Sequence, residues 1–322
     1  MNFSDDILWV FSSKAFLPSD IIGGIYPATY LKIKRLIFLS NHDTVKTLDS
    51  LNPKLIILGK CLNSNIINLV DEAKKRSIKV ISVFDDWHFN PQTDREKIKF
   101  GFNIKLSQLS DKIVVKSDKA KKLIKKNLNI ESQIINDSIR YKSLKPKHLI
   151  NKKPNLLWFG TSSNHDTLIS YINEISPQGI ESNLSIVTNV TKDLKHWIHK
   201  SNLKKINIKL INFSDKTLVE EAQLSDIIII PQLKDNRRAV KSSNRFIDSI
   251  NFGRLVITNI DNLHVDLKKY YFAGSLIDGI KWAKNNPKKL FHKLESGQNY
   301  VRKKYSIESI SSIWKELIKK TI

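Results

Sequence analysis

The sequence predicts an α/β chain built as two tandem Rossmann-like halves. Three observations carry this. Short apolar runs alternate with longer amphipathic segments along all 322 residues. The runs are apolar throughout rather than at every second position, as in strands of a parallel sheet covered on both faces. The alternation then restarts after a lysine- and proline-rich stretch, Tyr141 to Pro154, whose composition is that of a linker. A chain of this length has room for two hydrophobic cores.

In the first half, strands are expected at Ile7–Phe11, Leu36–Leu39, Leu55–Leu58, Val80–Phe84, Ile113–Val115 and Gln133–Ile135. Helical patterns such as Asn65–Arg76 and Ser117–Lys126 lie between them, giving βαβ units. In the second half, strands are expected at Leu156–Phe159, Leu184–Val187, Ile206–Ile211, Ile227–Ile230 and Leu255–Thr258. Helices fall near His165–Ile175, Ser214–Leu224, Ser242–Phe252 and Leu276–Lys284. Ser214-Asp215 suits the start of its helix, because a serine side chain there accepts from an otherwise orphaned N–H. The tail from Pro287 to Ile322 reads as two long helices with a break near Tyr305-Ser306. Repeats and low-complexity tracts are absent from the sequence.

Composition narrows the function classes. No apolar run approaches bilayer length, and the acidic start Met1 to Asp6 lacks the charge pattern of a signal peptide. A single cysteine, Cys61, rules out an internal disulfide and a cysteine metal cluster, and a cytoplasmic location is expected. The formal charge of +23 fits nucleic acid, an anionic membrane face or anionic ligands. Lysine, isoleucine and asparagine dominate the chain, so compositional drift accounts for most of the charge. The lysines are locally dense at Lys119 to Lys126 and Lys142 to Lys153, which points to peripheral contact with an anionic inner membrane face. No zinc-finger, RNP or basic-heptad pattern is present, so no nucleic-acid partner is expected.

The stretch Lys241-Ser242-Ser243-Asn244-Arg245-Phe246-Ile247-Asp248 carries the most chemistry. It follows the bare strand Ile227–Ile230 with Pro231, and runs through Gly253 into the strand Leu255–Thr258. On one helix, Lys241, Arg245 and Asp248 fall at i, i+4 and i+7, a single face. Lysine and arginine suit a diphosphate, and a carboxylate suits a ribose. The plain alternative is a solvated face with an Arg245/Asp248 ion pair, which contributes little.

With these residues laid out, the chain resembles GT-B glycosyltransferases of the large retaining class that use nucleotide-sugar donors. The resemblance is strongest from Leu156 to Tyr305. Trp158-Phe159-Gly160-Thr161 looks like the strand and glycine loop that open the donor domain. Ser225-Asp226 before Ile227 looks like the family's next strand, and Lys241 to Thr258 looks like its donor helix. In the first half, Ser110-Asp111 with Ile113 to Ser117 resembles a further family strand. The resemblance implies an acceptor domain over 1–148, joined by a C-terminal helix over 306–322 that crosses back, and a donor domain over 149–305. The two would face a cleft. It implies transfer of a sugar from a nucleotide sugar to a glycan, lipid-linked saccharide or protein acceptor. No cofactor or metal is implied, and Asp85-Asp86 lacks the spacing of a DxD metal motif.

Carried over residue by residue, the resemblance gives donor-binding roles to Gly24, Gly160, Thr161, Arg238, Lys241, Asn244, Arg245 and Asp248. Asp248 stands where the family has a ribose-binding glutamate. Gly24 belongs to a glycine pair in the position of a phosphate loop, or to an ordinary turn. Gly160 and Thr161 either admit a phosphate or simply turn the chain. Arg237-Arg238 binds phosphate or an anionic acceptor, or is solvated. Asp86 and His88 follow a strand where related enzymes carry Asp and His beside the acceptor. His88 then deprotonates or orients a hydroxyl, or else bonds a backbone carbonyl. One departure stands out: the first of the family's two spaced glutamates would fall at Val240. Either neighbours such as Asp235 or Asn236 serve in its place, or activity is lost, and the valine favours the alternative of a non-catalytic protein of the same fold that binds a nucleotide or glycan.

Overall fold

The computed structural model describes residues 6–11, 20–33, 35–38, 44–59, 64–85, 91, 93–201, 203, 205–233, 240–260 and 264–322. In chain order the first elements are β1 (Ile7–Phe11), a π-helical turn Ile21–Ile25 that runs into α1 (Tyr26–Tyr30), β2 (Arg35–Phe38), α2 (Thr44–Leu51), β3 (Leu55–Gly59), α3 (Ser64–Lys75), β4 (Lys79–Phe84), α4 (Asp94–Leu109), β5 (Lys112–Val115), α5 (Asp118–Leu128) and β6 (Gln133–Ile134). The pattern restarts with β7 (Asn155–Phe159), α6 (His165–Ile175), β8 (Ser182–Thr188), α7 (Lys192–Lys200), β9 (Ile206–Asn212), α8 (Asp215–Leu224), β10 (Ile227–Ile229), α9 (Asn244–Asn251), β11 (Leu255–Thr258), β12 (Tyr271–Ala273), α10 (Leu276–Asn285), α11 (Pro287–Tyr305) and α12 (Ile307–Thr321).

Contacts divide the described residues into two units. One comprises those within Met1–Ser138, Asn236–Ser243 and Lys304–Ile322; the other, those within Ile139–Asp235 and Asn244–Lys303.

The first unit holds a parallel sheet in the order β2-β1-β3-β4-β5-β6. Strands β1, β3, β4 and β5 are buried on both faces along most of their length, as their unbroken apolar runs require. Leu8 and Val10 of β1 join Ile56, Leu58, Val80 and Val115 in one core. Alternation sends Trp9 to the other face, where its ring lies 5.0 Å from that of Trp314 on α12. The C-terminal helix thus belongs to the first unit, as expected. Ser306 starts it by accepting from Ser309 N–H, which separates α12 from α11.

The second unit holds a parallel sheet in the order β12-β11-β10-β7-β8-β9. Ser214 caps α8 through a reciprocal pair with Thr217. Strand β12 was not legible in the sequence: it is three residues long, with Tyr271 buried and its neighbours half-buried. The helices α4 and α7 were also missed. The presumed linker is bonded onto the second unit. Its backbone carbonyls at Tyr141, Leu144 and Lys145 accept from Asn251, Gln298 and Arg254 side chains, at 2.7–2.8 Å. A polar composition hid this, because the stretch is held by carbonyls rather than by apolar side chains. Gly253, at φ +63°, lets it pass: a Cβ there would lie 2.9 Å from Pro146 Cα.

Candidate functional site

Numbered from its own first strand, the second sheet runs 3-2-1-4-5-6, and the order reverses between β7 and β10. Ligands of such sheets bind outside the carboxyl ends of the strands at this reversal. Here β7 ends in Trp158-Phe159-Gly160-Thr161 and β10 in Ile230-Pro231-Gln232. The loop after β10 is pinned to the loop after β11, because Asn259 and Gln232 exchange two hydrogen bonds, at 2.8 and 3.0 Å.

Arg245, in the first turn of α9, supplies the charge at this edge. Its guanidinium carbon lies 5.3 Å from the Trp158 ring centre and 5.7 Å from that of Phe159. The residue is half-buried, and Nε and Nη2 are sealed from solvent and meet no acceptor among the described residues. Burial pushes the guanidinium pKa down to about 10. A desolvated cation with unused fork donors is a prepared anion site. Its aromatic platform was the part that sequence reasoning missed, although Trp158-Phe159 before Gly160 was there to be read.

Gly160 sits against that platform. A Cβ on it would lie 3.1 Å from the Trp158 ring and 3.7 Å from the Arg245 guanidinium carbon. Its carbonyl accepts from Thr188 Oγ1 at 2.8 Å. With that proton committed, His165 Nε2–H is the donor to Thr188 Oγ1, at 2.9 Å. Burial lowers the His165 pKa, which keeps the ring neutral for this role. Thr161 is exposed, and its hydroxyl bonds Ser163 at 2.8 Å and Asn164 at 3.2 Å ahead of α6. The turn therefore presents hydroxyls and a helix start beside Arg245.

Asp248, one turn after Arg245, is buried, and its Oδ1 accepts from Arg140 N–H at 3.4 Å. Asn244 opens α9 and is half-buried. The single-face arrangement expected for Lys241, Arg245 and Asp248 is not formed. The helix begins only at Asn244, and Lys241 lies in a bend before it, among residues of the first unit. Val240 is 1% exposed and packs in the first unit's core, where its carbonyl accepts from Ser117 Oγ at 2.7 Å.

Gly24 does not sit in a loop. It lies in the π-helical turn, where a Cβ would fall 2.7 Å from the Phe11 ring. Beside it, within the first unit, a hollow of about 20 Å³, room for one water-sized group, opens at the carboxyl edge of the sheet. Asp86, His88 and Arg238 lie outside the described residues, as do Cys61, Asp235, Asn236 and Arg237. Among the described residues no group of three His, Cys, Asp or Glu is placed to hold a metal, and no helix is long and apolar enough to cross a membrane.

No protein-family model matches the chain, and no curated protein matches it. Solved structures do. An Anabaena protein, Alr3699/HepE, in complex with UDP and glucose, superposes with TM-score 0.74 at 11% identity, over 98% of this chain and 99% of that one. A glycosyltransferase from Rickettsia africae gives 0.69 at 15% identity, over 98% of both chains. The lipopolysaccharide outer core galactosyltransferase WaaB gives 0.62 at 10% identity, over 98% of this chain and 99% of that one. This chain has the GT-B fold. At such identities the likeness speaks for the GT-B frame alone, and the chemistry rests on the residues described above.

Proposed function

We propose that this GT-B chain is a glycosyltransferase that moves a sugar from a nucleotide-sugar donor to a glycan, lipid-linked saccharide or protein acceptor. The observation that carries the reading is Arg245: a desolvated guanidinium with unused donors, held on an aromatic platform at the reversal point of the second sheet. Departure of a nucleoside diphosphate leaves negative charge on the β-phosphate. Preorganised donors in a site of low dielectric stabilise that charge as it develops. The backbone and hydroxyls after Gly160 supply further donors, and Asp248 is the carboxylate for the ribose. The complex of the Anabaena structure with UDP and glucose supports a uridine donor. Transfer with retention follows from the resemblance of the donor helix.

Arg245 brings a fixed positive charge to the leaving group, so transfer is expected to persist in EDTA. The exposed Lys119, Lys122, Lys125 and Lys126 of α5 offer contact with anionic lipid. Sedimentation with anionic vesicles at low salt tests that contact.

The central test is thermal unfolding and calorimetric titration with nucleoside diphosphates and their sugars, on the wild-type chain and on Asp248→Ala. One diphosphate should raise the melting point by linkage, and the variant should lose most of that rise. Val240 makes turnover a separate question from binding. Release of sugar or its transfer to an acceptor panel answers it, and binding without any turnover would favour the non-catalytic alternative.

A further inference from the structure

We propose that Thr188 and His165 are positioning residues of the donor site. Together they hold the Gly160 carbonyl on β8, which aims the N–H of Thr161 at the terminal phosphate of a nucleoside diphosphate. The occupant rests on the glycosyltransferase reading; the aim of the peptide rests on geometry alone.

Gly160 directly follows β7, which has β8 on one side and β10 on the other. Both backbone groups of Gly160 turn to β8. Its N–H donates to the Val187 carbonyl at 3.2 Å, and its carbonyl accepts from Thr188 Oγ1 at 2.8 Å. The peptide bonds of the described residues are trans. In a planar trans peptide the C=O and the following N–H point in opposite directions. The Thr161 N–H therefore points away from β8, to the side of β10, from which the chain runs on to α9 and Arg245. The Arg245 guanidinium carbon lies 3.7 Å from where a Cβ on Gly160 would stand. The Thr161 N–H meets no acceptor among the described residues, and no side chain caps the 3₁₀ turn Ser162–Asn164 that follows. A backbone donor and a guanidinium fork thus serve one edge, and the protein itself takes up neither.

The glycine makes the clamp necessary. A residue without Cβ turns its backbone freely. A half-turn of the 160–161 peptide would exchange its two groups and set a carbonyl, not an N–H, against the phosphate. Thr188 fixes one orientation. It ends β8 and is 0% exposed, so water does not compete for its hydroxyl. That hydroxyl has one proton, which goes to Gly160, and it accepts from His165 Nε2 at 2.9 Å. The His165 donor thereby stops the hydroxyl from rotating away. His165 is itself fixed, as the first residue of α6, buried with its ring centre 6.0 Å from that of Trp158. The adjacent carboxylate does not oppose an anion here at full strength, because Asp166 Oδ1 turns back to accept from Thr167 N–H at 2.8 Å.

The experiment titrates the intact chain by calorimetry with UDP and UMP, and with the diphosphate and monophosphate of each other base. The pair whose diphosphate binds most tightly carries the comparison. Thr188→Val keeps the shape and removes the hydroxyl. It should weaken the diphosphate about 10-fold and leave the monophosphate within about 2-fold. Thr188→Ser restores the hydroxyl and should bring the diphosphate back to within about 3-fold of wild type. In amide NMR spectra the Thr161 signal should shift on adding the diphosphate to the wild-type chain and the serine variant, and stay in place in the valine variant. Unchanged monophosphate affinity also reports that the variants are folded. If Thr188→Val disrupts folding, His165→Phe serves instead. It keeps a ring beside Trp158, frees the hydroxyl to rotate, and should weaken the diphosphate about 3-fold. Equal loss of both nucleotides, a loss that serine does not rescue, or a Thr161 amide that ignores the diphosphate overturns the proposal. If a diphosphate binds and the variants leave it untouched, the proposal alone falls. If no diphosphate binds the wild-type chain, the glycosyltransferase reading falls and takes the proposal with it.

Discussion

Replacing Arg245 with methionine should stabilise the unliganded protein and cripple its hold on a nucleoside diphosphate. The guanidinium pKa falls from its ordinary value in the open chain to about 10 in the fold. At 1.36 kcal/mol per pKa unit, the burial costs about 3 kcal/mol of stability at neutral pH. The sign follows from the depressed pKa: the cost is complete below about pH 10 and fades as pH rises from there towards the open-chain value. Contacts with the Trp158 and Phe159 rings return about 1–2 kcal/mol. Arg245→Met keeps a stem of similar length on the same rings without the charge. A net gain of about 1–2 kcal/mol follows, or a melting point higher by about 2–8 °C. A bound diphosphate reverses the balance, because it takes up the unused donors. Losing one charged hydrogen bond should weaken UDP at least 30-fold, or about 2 kcal/mol. Differential scanning calorimetry gives the first quantity and isothermal titration the second. A methionine variant that melts no higher and still binds UDP like the wild-type chain refutes the reasoning.

Other sites give further expectations. Asp226 is fully buried and accepts from Asn151 Nδ2, Asn155 N–H and Lys147 Nζ, so Asp226→Ala should lose about 3 kcal/mol in urea unfolding. His264 packs edge-on against Phe246, and burial holds its pKa at about 4, against the opposing pull of Asp266. The unfolded chain takes up that proton first, so stability should fall as pH drops from about 6.5 towards 4, and His264→Gln should flatten the decline. Gly253→Ala meets both a positive φ and the Pro146 backbone, and should lower the melting point by several degrees. An Arg254→Lys variant cannot reproduce the fork that reaches the carbonyls of Ala222, Lys145, Phe252 and Gln223, and should destabilise the second unit in the same assay.

Much of this architecture was readable before any coordinates. The strands Ile7–Phe11 and Leu255–Thr258 fall where their apolar runs place them, because a strand buried on both faces leaves no polar position to blur its ends. The break at Ser306 and the cap at Ser214 follow from hydroxyls that satisfy the first N–H groups of a helix. Other features were hidden. Strand β12 is too short to show a period, and α4 carries its apolar residues without a clear helical stripe. At the site, Gly160, Arg245 and Asp248 could be named from their order in the chain, but the start of α9 could not. The helix starts at Asn244, two residues after the expected Ser242, and leaves Lys241 in the bend before it.

The sequence by itself determined two parallel α/β halves, a separate C-terminal helix after Tyr305-Ser306 and the arginine and carboxylate of α9. These depend on local period, capping and order along the chain. Only the tertiary structure decided what each charge meets. It set Arg245 over Trp158 and Phe159, 86–87 residues away in the chain, and turned Val240 into the core of the first unit. It also brought Trp9, Asp85 and Lys116 to one edge of the first sheet through strand register, with Asp20 beside them at the start of the π-helical turn. Desolvation and unmatched donors arise from such long-range packing, and no local pattern in the sequence records them.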